Sequence, residues 1–244
     1  MAAAGGGSGR RFERLGLLVG EAALHTLGRA HVMVVGVGGV GSWAAEALIR
    51  SGVGTVTLVD FDVVCPTNVN RQIHALDGVF GQPKAQVMAA RLRSINPDAT
   101  VHACALSYAR DTAAAILAAA PDYVIDAIDG LASKCHLLAE CRGRGLPVVC
   151  STGAAGRLDP GQVAVGDLAR TDVDPLARAV RKGLRREYGF PRAGPFGITA
   201  VYSREDPAAE QERQRGTSVC VTGTFGFHCA ACVMRGLLCT PAGA

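Results

Sequence analysis

Aromatic residues make up only 5% of this 244-residue chain, so the interior falls to Val, Leu, Ile and Ala. With 49% apolar residues the chain can still bury a full core. Its many Gly and Ala suit helices packed closely on a sheet. No apolar run approaches the roughly 20 residues that span a bilayer, which argues against a membrane protein. Residues 1–10 are Ala/Gly/Ser-rich without the apolar stretch of a secretory signal, and read as a flexible tail. The nine cysteines have no framework spacing, and their odd number argues for reduced thiols and a cytoplasmic location. Neither sign of charge dominates, with 25 Lys and Arg against 21 Asp and Glu. A formal net charge of +4 permits a polyanionic partner without demanding one.

What is present is an alternation. Arg11–Gly28 has helical composition and leads into an apolar strand at His31–Val35. A glycine-rich turn, Gly36–Gly41, passes into a helix over Ser42–Arg50. Gly52 and Gly54 end that helix, and Thr55–Val59 is a β-branched strand. The rhythm continues through a helix at Lys84–Ile95, stopped by Asn96-Pro97, and a strand at Thr100–Ala105. A helix at Thr112–Ala120, a strand at Tyr123–Ile128, a helix at Ser133–Arg142 and a strand at Pro147–Cys150 follow. Such a succession predicts an α/β fold with a Rossmann-like, doubly wound, mostly parallel sheet. After Gly156 the spacing changes. Strands at Gln162–Val165 and Ile198–Ser203 flank a basic helix, with Asp174 as N-cap and Pro175 in its first turn. This predicts an antiparallel C-terminal portion. Arg204–Gly216 reads as a mobile charged loop and Phe225–Leu238 as a last helix packed on the sheet. No linker divides the chain, so residues 11–244 are expected to form one domain.

Gly36-Val37-Gly38-Gly39-Val40-Gly41 satisfies G-x-G-x-x-G directly between strand and helix. Glycines there permit a tight turn and let a phosphate approach the N–H groups at the helix start. Asp60 closes the next strand, where a carboxylate can accept from ribose hydroxyls. This pattern says nucleotide, without separating NAD from ATP. The residues that follow favour ATP: Asp62, then Asn68, Arg71 and Gln72, then Lys84 at a helix start. Arg71 and Lys84 can neutralise a triphosphate, the first by forked hydrogen bonds and the second as a point charge. Asp129 follows a later strand end, where a carboxylate beside phosphates can hold Mg2+.

The run VVGVGGVGSWAAEALIRSGVGTVTLVDFDVVCPTNVNRQIHAL, with GQPKAQVM, INP and VIDAID after it, resembles the ubiquitin-activating-enzyme-like (ThiF-type) superfamily of adenylating enzymes. Within that superfamily, RFERLGLLVGEAAL, STGAAGRLDPGQVAVGDLARTDVDPLARAVRKGLR and ITAVYSREDP look most like the tRNA threonylcarbamoyladenosine dehydratases. The resemblance runs from Arg11 to about Leu238. It implies that Gly36, Gly38, Gly39 and Gly41 form the phosphate loop and that Asp60 and Asp62 lie at the nucleotide. It further implies that Asn68, Arg71, Gln72 and Lys84 meet the ATP phosphates and that Asp129 binds the metal. Arg14 would reach into the ATP site of a second copy in a homodimer. The implied reaction is cyclisation of threonylcarbamoyladenosine in tRNA through an acyl-adenylate, with no protein nucleophile. The resemblance also leaves room for a monovalent cation at the ATP site and for a sulfur-relay protein partner.

Two features have competing readings. Cys229 and Cys232 form a C-x-x-C without the second pair a closed zinc site requires, and packing is expected of them rather than zinc. Arg178, Arg181, Lys182, Arg185 and Arg186 recur at helical spacing on one face. A charge stripe is commonly only a solvated face. One so one-signed suits a phosphate backbone, and with the resemblance added tRNA contact is favoured. Two further functions remain in play: adenylylation of the C-terminal glycine of a ubiquitin-like sulfur carrier, and a plain nucleotide-binding or redox-partner role. The basic stripe and the missing zinc pair weigh against the former, the phosphate-neutralising residues against the latter.

Overall fold

β-branched runs buried on both faces form the frame, as expected of parallel strands covered by helices. The structure, a computed structural model, describes residues 10–207 and 216–239. The expected tail through Gly9 and most of the expected loop Arg204–Gly216 lie outside the described residues.

Seven strands are described: His31–Val35 (β1), Thr55–Val59 (β2), Thr100–Cys104 (β3), Tyr123–Asp126 (β4), Val148–Ser151 (β5), Val163–Asp167 (β6) and Thr199–Ser203 (β7). They form one sheet in the order β3-β2-β1-β4-β5-β7-β6. All neighbours are parallel except β6, which runs antiparallel to β7. The β6–β7 pair is the expected antiparallel C-terminal portion. Strand β7 joins β5 in parallel, and only β6 turns back, pairing Val163 with Ser203 and Asp167 with Thr199.

The helices are Glu13–Val19 (α1), Glu21–Arg29 (α2), Gly41–Arg50 (α3), Lys84–Ile95 (α4), Ala113–Leu117 (α5), Leu131–Gly143 (α6), Pro175–Glu187 (α7) and Val219–Cys239 (α8). Strand side chains alternate between two cores. Val32, Val34, Val56, Leu58, Ile125 and Val149 pack beneath α3, α4 and α8. Met33, Val35, Val124, Val148 and Cys150 pack beneath α5, α6 and α7. The single helix expected over Arg11–Gly28 is two, because Gly20 adopts φ +85°, ψ 159°, a conformation open to glycine and not to a helix.

α8 corrects another expectation. By length and composition it is apolar enough to cross a membrane, although Thr, Gly and His interrupt its run. Half of that apolar stretch is buried in the fold, with Val221, Phe225, Cys229 and Val233 fully enclosed. Its contact with α3 is backbone-close. A Cβ at Gly226 would lie 2.6 Å from the Val40 carbonyl oxygen and 2.7 Å from Trp43 Cβ. Gly226→Ala should therefore push the two helices apart and cost about 1–3 kcal/mol. Urea denaturation checks this, as a lowered midpoint with an unchanged slope.

Candidate nucleotide pocket and cationic helix

The strand order reverses direction between β1 and β4, and ligands of such sheets bind at that switch, outside the carboxyl ends of the strands. A cavity of about 830 Å³ lies there. The turn after β1 forms its floor. Gly36 takes φ +90°, and a Cβ on it would lie 2.6 Å from the Ala127 carbonyl oxygen. A Cβ on Gly41 would fall on the Gly36 carbonyl oxygen itself, so both positions require glycine for backbone approach. Gly36, Gly38 and Gly39 line the cavity, whereas Gly41 stands behind it as a packing residue. α3 starts without a side-chain cap, which leaves N–H groups at its first turn for an anion.

Asp60 ties that turn to β2. Val37 N–H donates to its Oδ2 at 2.6 Å and Asp62 N–H to its Oδ1 at 2.9 Å. Burial pushes the Asp60 carboxyl above the ordinary carboxylate value, against the pull of those two donors and of Lys84. Lys84 is itself buried, and its Nζ reaches Asp62 Oδ2 at 2.8 Å. Asp62 is thus the partner of Lys84, a pairing 22 residues apart that sequence spacing did not reveal.

The segment between β2 and α4 supplies the next wall. Asn68 is buried and receives Cys65 N–H at 3.0 Å. Arg71 is held from both ends. Trp43 Nε1–H donates to its carbonyl oxygen at 2.9 Å, and its Nη1 donates to Thr67 O and Asn70 Oδ1, each at 3.0 Å. Gln72 lines the cavity with a buried Oε1 that has no hydrogen-bond partner among the described residues. Asn68, Arg71, Gln72 and Lys84 all line the same cavity as the glycines.

Asp129 enters from the opposite side. β4 ends at Asp126, so Asp129 stands in the turn before α6, exposed and without an ion pair or hydrogen bond among the described residues. The turn is built on a buried pair that sequence reasoning missed. Lys134 Nζ lies 2.8 Å from Asp126 Oδ2, both side chains fully enclosed, while Asp126 Oδ1 receives Ile128 N–H at 3.1 Å. Burial pulls the Lys134 ammonium down, the charge and hydrogen bond of Asp126 push it up, and its pKa stands above the ordinary lysine value. The only legible signal was an Asp at a strand end with a Lys one helical turn into the next helix.

Among the described residues no three His, Cys, Asp or Glu side chains cluster as a metal cage. A lone carboxylate at Asp129 suits a magnesium ion that takes its remaining ligands from phosphates and water. Also missed were walls from distant segments: Leu106–Tyr108, Ser151–Ala155, Leu176, Thr217 and Thr222. Arg14 does not line the cavity of its own chain. It lies exposed on α1, beside Leu17 and Leu18, which are 78% and 81% exposed.

α7 carries the basic residues. Asp174 Oδ1 caps it through Ala177 N–H at 2.7 Å, and Ala177, Val180, Gly183 and Leu184 form its buried face. Arg178, Lys182 and Arg186 are exposed on the other face, and Arg181 and Arg185 are half-buried at its edge. Arg181 donates to Thr171, Arg186 pairs with Glu187, and Arg185 sits over the Phe196 ring, 5.1 Å from its centroid. Burial, then the charges of Arg185 and Arg178, push Arg181 below the ordinary arginine value.

His74, two residues past Gln72, is 1% exposed, and neither ring nitrogen has a partner among the described residues. Burial, with Lys84 and Arg91 nearby, pushes its pKa down to about 4 from 6.5. Its folded-state pKa lies below the unfolded value, so the stability it permits is complete above pH 6.5 and is lost as pH falls toward 4. Urea denaturation should show a loss on the order of 2–3 kcal/mol between pH 7 and pH 4.5 that His74→Phe abolishes.

Residues 12–235 match the ThiF family. The chain is 42% identical over 240 residues to the tRNA threonylcarbamoyladenosine dehydratase of Escherichia coli, covering 89% of this chain and 90% of that protein. It is similar to a solved structure of the E. coli dehydratase in complex with AMP, with a TM-score of 0.92, 42% identity and 98% of each chain covered. A second structure, in complex with ATP, gives a TM-score of 0.90 at 43% identity over 93% of each chain.

Proposed function

The chain belongs to the ThiF family, and we propose that it catalyses the ATP-dependent dehydration, by cyclisation, of threonylcarbamoyladenosine beside the anticodon of tRNA. One observation carries this reading: its likeness to the E. coli dehydratase extends through nearly the whole of both chains. The ATP and AMP complexes of that relative match the nucleotides that enter and leave such a reaction.

In this reading the α- and β-phosphates of ATP lie on the turn Gly36–Gly39 and the ribose faces Asp60. Lys84, aligned by Asp62, and Arg71, aligned by Trp43, Thr67 and Asn70, face the triphosphate. Asp129 would hold Mg2+, which when bound neutralises phosphate charge. The threonyl carboxylate attacks the α-phosphorus, and the bond to pyrophosphate breaks. An internal nucleophile of the same modification then attacks the acyl carbon and expels AMP. The carboxylate oxygen leaves in AMP and the nucleophile's proton goes to solvent, so the RNA loses one water. Fixed cations stabilise the charge that develops on phosphate in the first step, and no protein nucleophile is needed.

A homodimer completes the proposal. Exposed Leu17 and Leu18 beside Arg14 suit burial against a second copy, whose ATP site Arg14 would enter. The nine free thiols suit a reducing compartment, the cytoplasm. As a whole, residues 11–244 act as one adenylating domain.

Mass spectrometry of tRNA carrying threonylcarbamoyladenosine, incubated with protein, ATP and Mg2+, tests the reaction. Loss of one water with stoichiometric AMP is the expected result. Unchanged tRNA from folded, ATP-binding protein would overturn it and point to a carrier-protein carboxylate. Lys84→Ala and Asp129→Ala should each lower AMP release about 100-fold or more. Near-normal turnover in either variant would remove that residue from the site.

A further inference from the structure

Asp174 does more than cap α7. Its Oδ2 accepts Gly153 N–H and Thr152 Oγ1–H, each at 3.0 Å, and lies 3.3 Å from Arg157 Nη2. Arg157 is 2% exposed and Asp174 1%. The same guanidinium donates to the Gly153 carbonyl, and its Nε donates to Glu205 O at 3.0 Å. Glu205 in turn accepts Leu158 N–H at 3.0 Å and Asp159 N–H at 2.9 Å. One network, buried at its Asp174–Arg157 centre, therefore joins the start of α7, the loop after β5 and the segment after β7.

Both ends of this network bear on the proposed reaction. The loop after β5 walls the cavity with Thr152, Gly153, Ala154 and Ala155, and Leu176 in the first turn of α7 lines it too. Arg178 follows Leu176 by two residues, so the cationic face begins within about one helical turn, roughly 5 Å, of the cavity wall. A buried ion pair is costly unless its partners are all satisfied, and this one is satisfied only while loop and helix stay together.

We propose that Asp174 and Arg157 are positioning residues that hold the cationic face of α7 in register with the cavity. A phosphate backbone lying on α7 then delivers its carboxylate-bearing base to the lobe walled by Thr152–Ala155 and Leu176. The inference rests on the reading that the acceptor is RNA. It assigns backbone contact and base placement to different residues of one helix, which makes the two separable.

Asp174→Asn keeps a carbonyl oxygen for the Ala177 N–H but turns an amide toward the donors Gly153 N–H and Arg157. Steady-state turnover of tRNA should lose about tenfold or more in kcat/KM. KM for ATP, RNA affinity and its salt slope should stay within about twofold, because the cations remain. Arg178→Ala with Lys182→Ala should act on binding instead, raising KM for tRNA at unchanged kcat, weakening RNA affinity and making its salt slope shallower by about 1–2. Thr152→Val, which removes one donor and leaves the cap and ion pair, should shift kcat/KM the same way to a lesser degree. It also carries the test if Asp174→Asn fails to fold. Unchanged tRNA turnover in the positioning variants, or equal losses for ATP and RNA, would overturn the inference while leaving the reaction standing. Wild-type protein inert on tRNA would overturn both.

Discussion

Between β1 and α3 the backbone approaches itself and its neighbour so closely that no side chain fits at Gly36 or Gly41. Everything that makes the cavity follows from that turn. Without a Cβ at 36, the chain can lie against Ala127 at the end of β4. Without one at 41, α3 starts at once, with no side-chain cap on its first turn. Asp60 then locks the turn to β2 through Val37 N–H. Three strand ends are held against one another by backbone geometry and one carboxylate, in a place where loops would otherwise move freely.

Around this floor buried polar pairs join apolar packing in holding the walls. Lys134–Asp126 lies beneath the turn that carries Asp129, and Arg157–Asp174 lies beneath the loop Thr152–Ala155. Such pairs contribute little net stability, because desolvation offsets the attraction. Removing one partner leaves an uncompensated buried charge and costs about 3–5 kcal/mol. Their effect is directional: each admits one arrangement of its loop. Arg71 is treated likewise, with Trp43 on its carbonyl and two acceptors on its guanidinium, so its charge is placed before any ligand arrives.

α7 joins the second core to the cavity wall. Its buried face belongs to the second core and its first turn to the cavity wall. Burial of Ala177, Val180 and Leu184 leaves the basic residues no orientation but outward. Crowded like charges raise the cost of that surface, and an anion would lower it. Arg185 partly escapes by stacking on Phe196, which makes it as much a packing residue as a charge.

Local sequence determined the elements wherever local physics decides them. The bounds of β1, β2 and α4 were legible from β-branched runs, glycine stops and Asn96-Pro97. The nucleotide turn was legible from glycine spacing, and the start of α7 from Asp174-Pro175. Asp60, Asn68, Arg71, Gln72, Lys84 and Asp129, which line the cavity, were legible as candidates, because they follow strand ends in order along the chain. Only tertiary structure decided what depends on distant segments meeting. Gly20 reads as one more small helical residue until its φ is known. That β7 joins β5 in parallel is settled by which edge remains open, not by its own five residues. Asp62 pairs with Lys84 across 22 positions, Arg157 with Asp174 across 17, and Glu205 returns 47 residues to Leu158. A charged residue shows its charge in the sequence; its burial and its partner are properties of the packed chain.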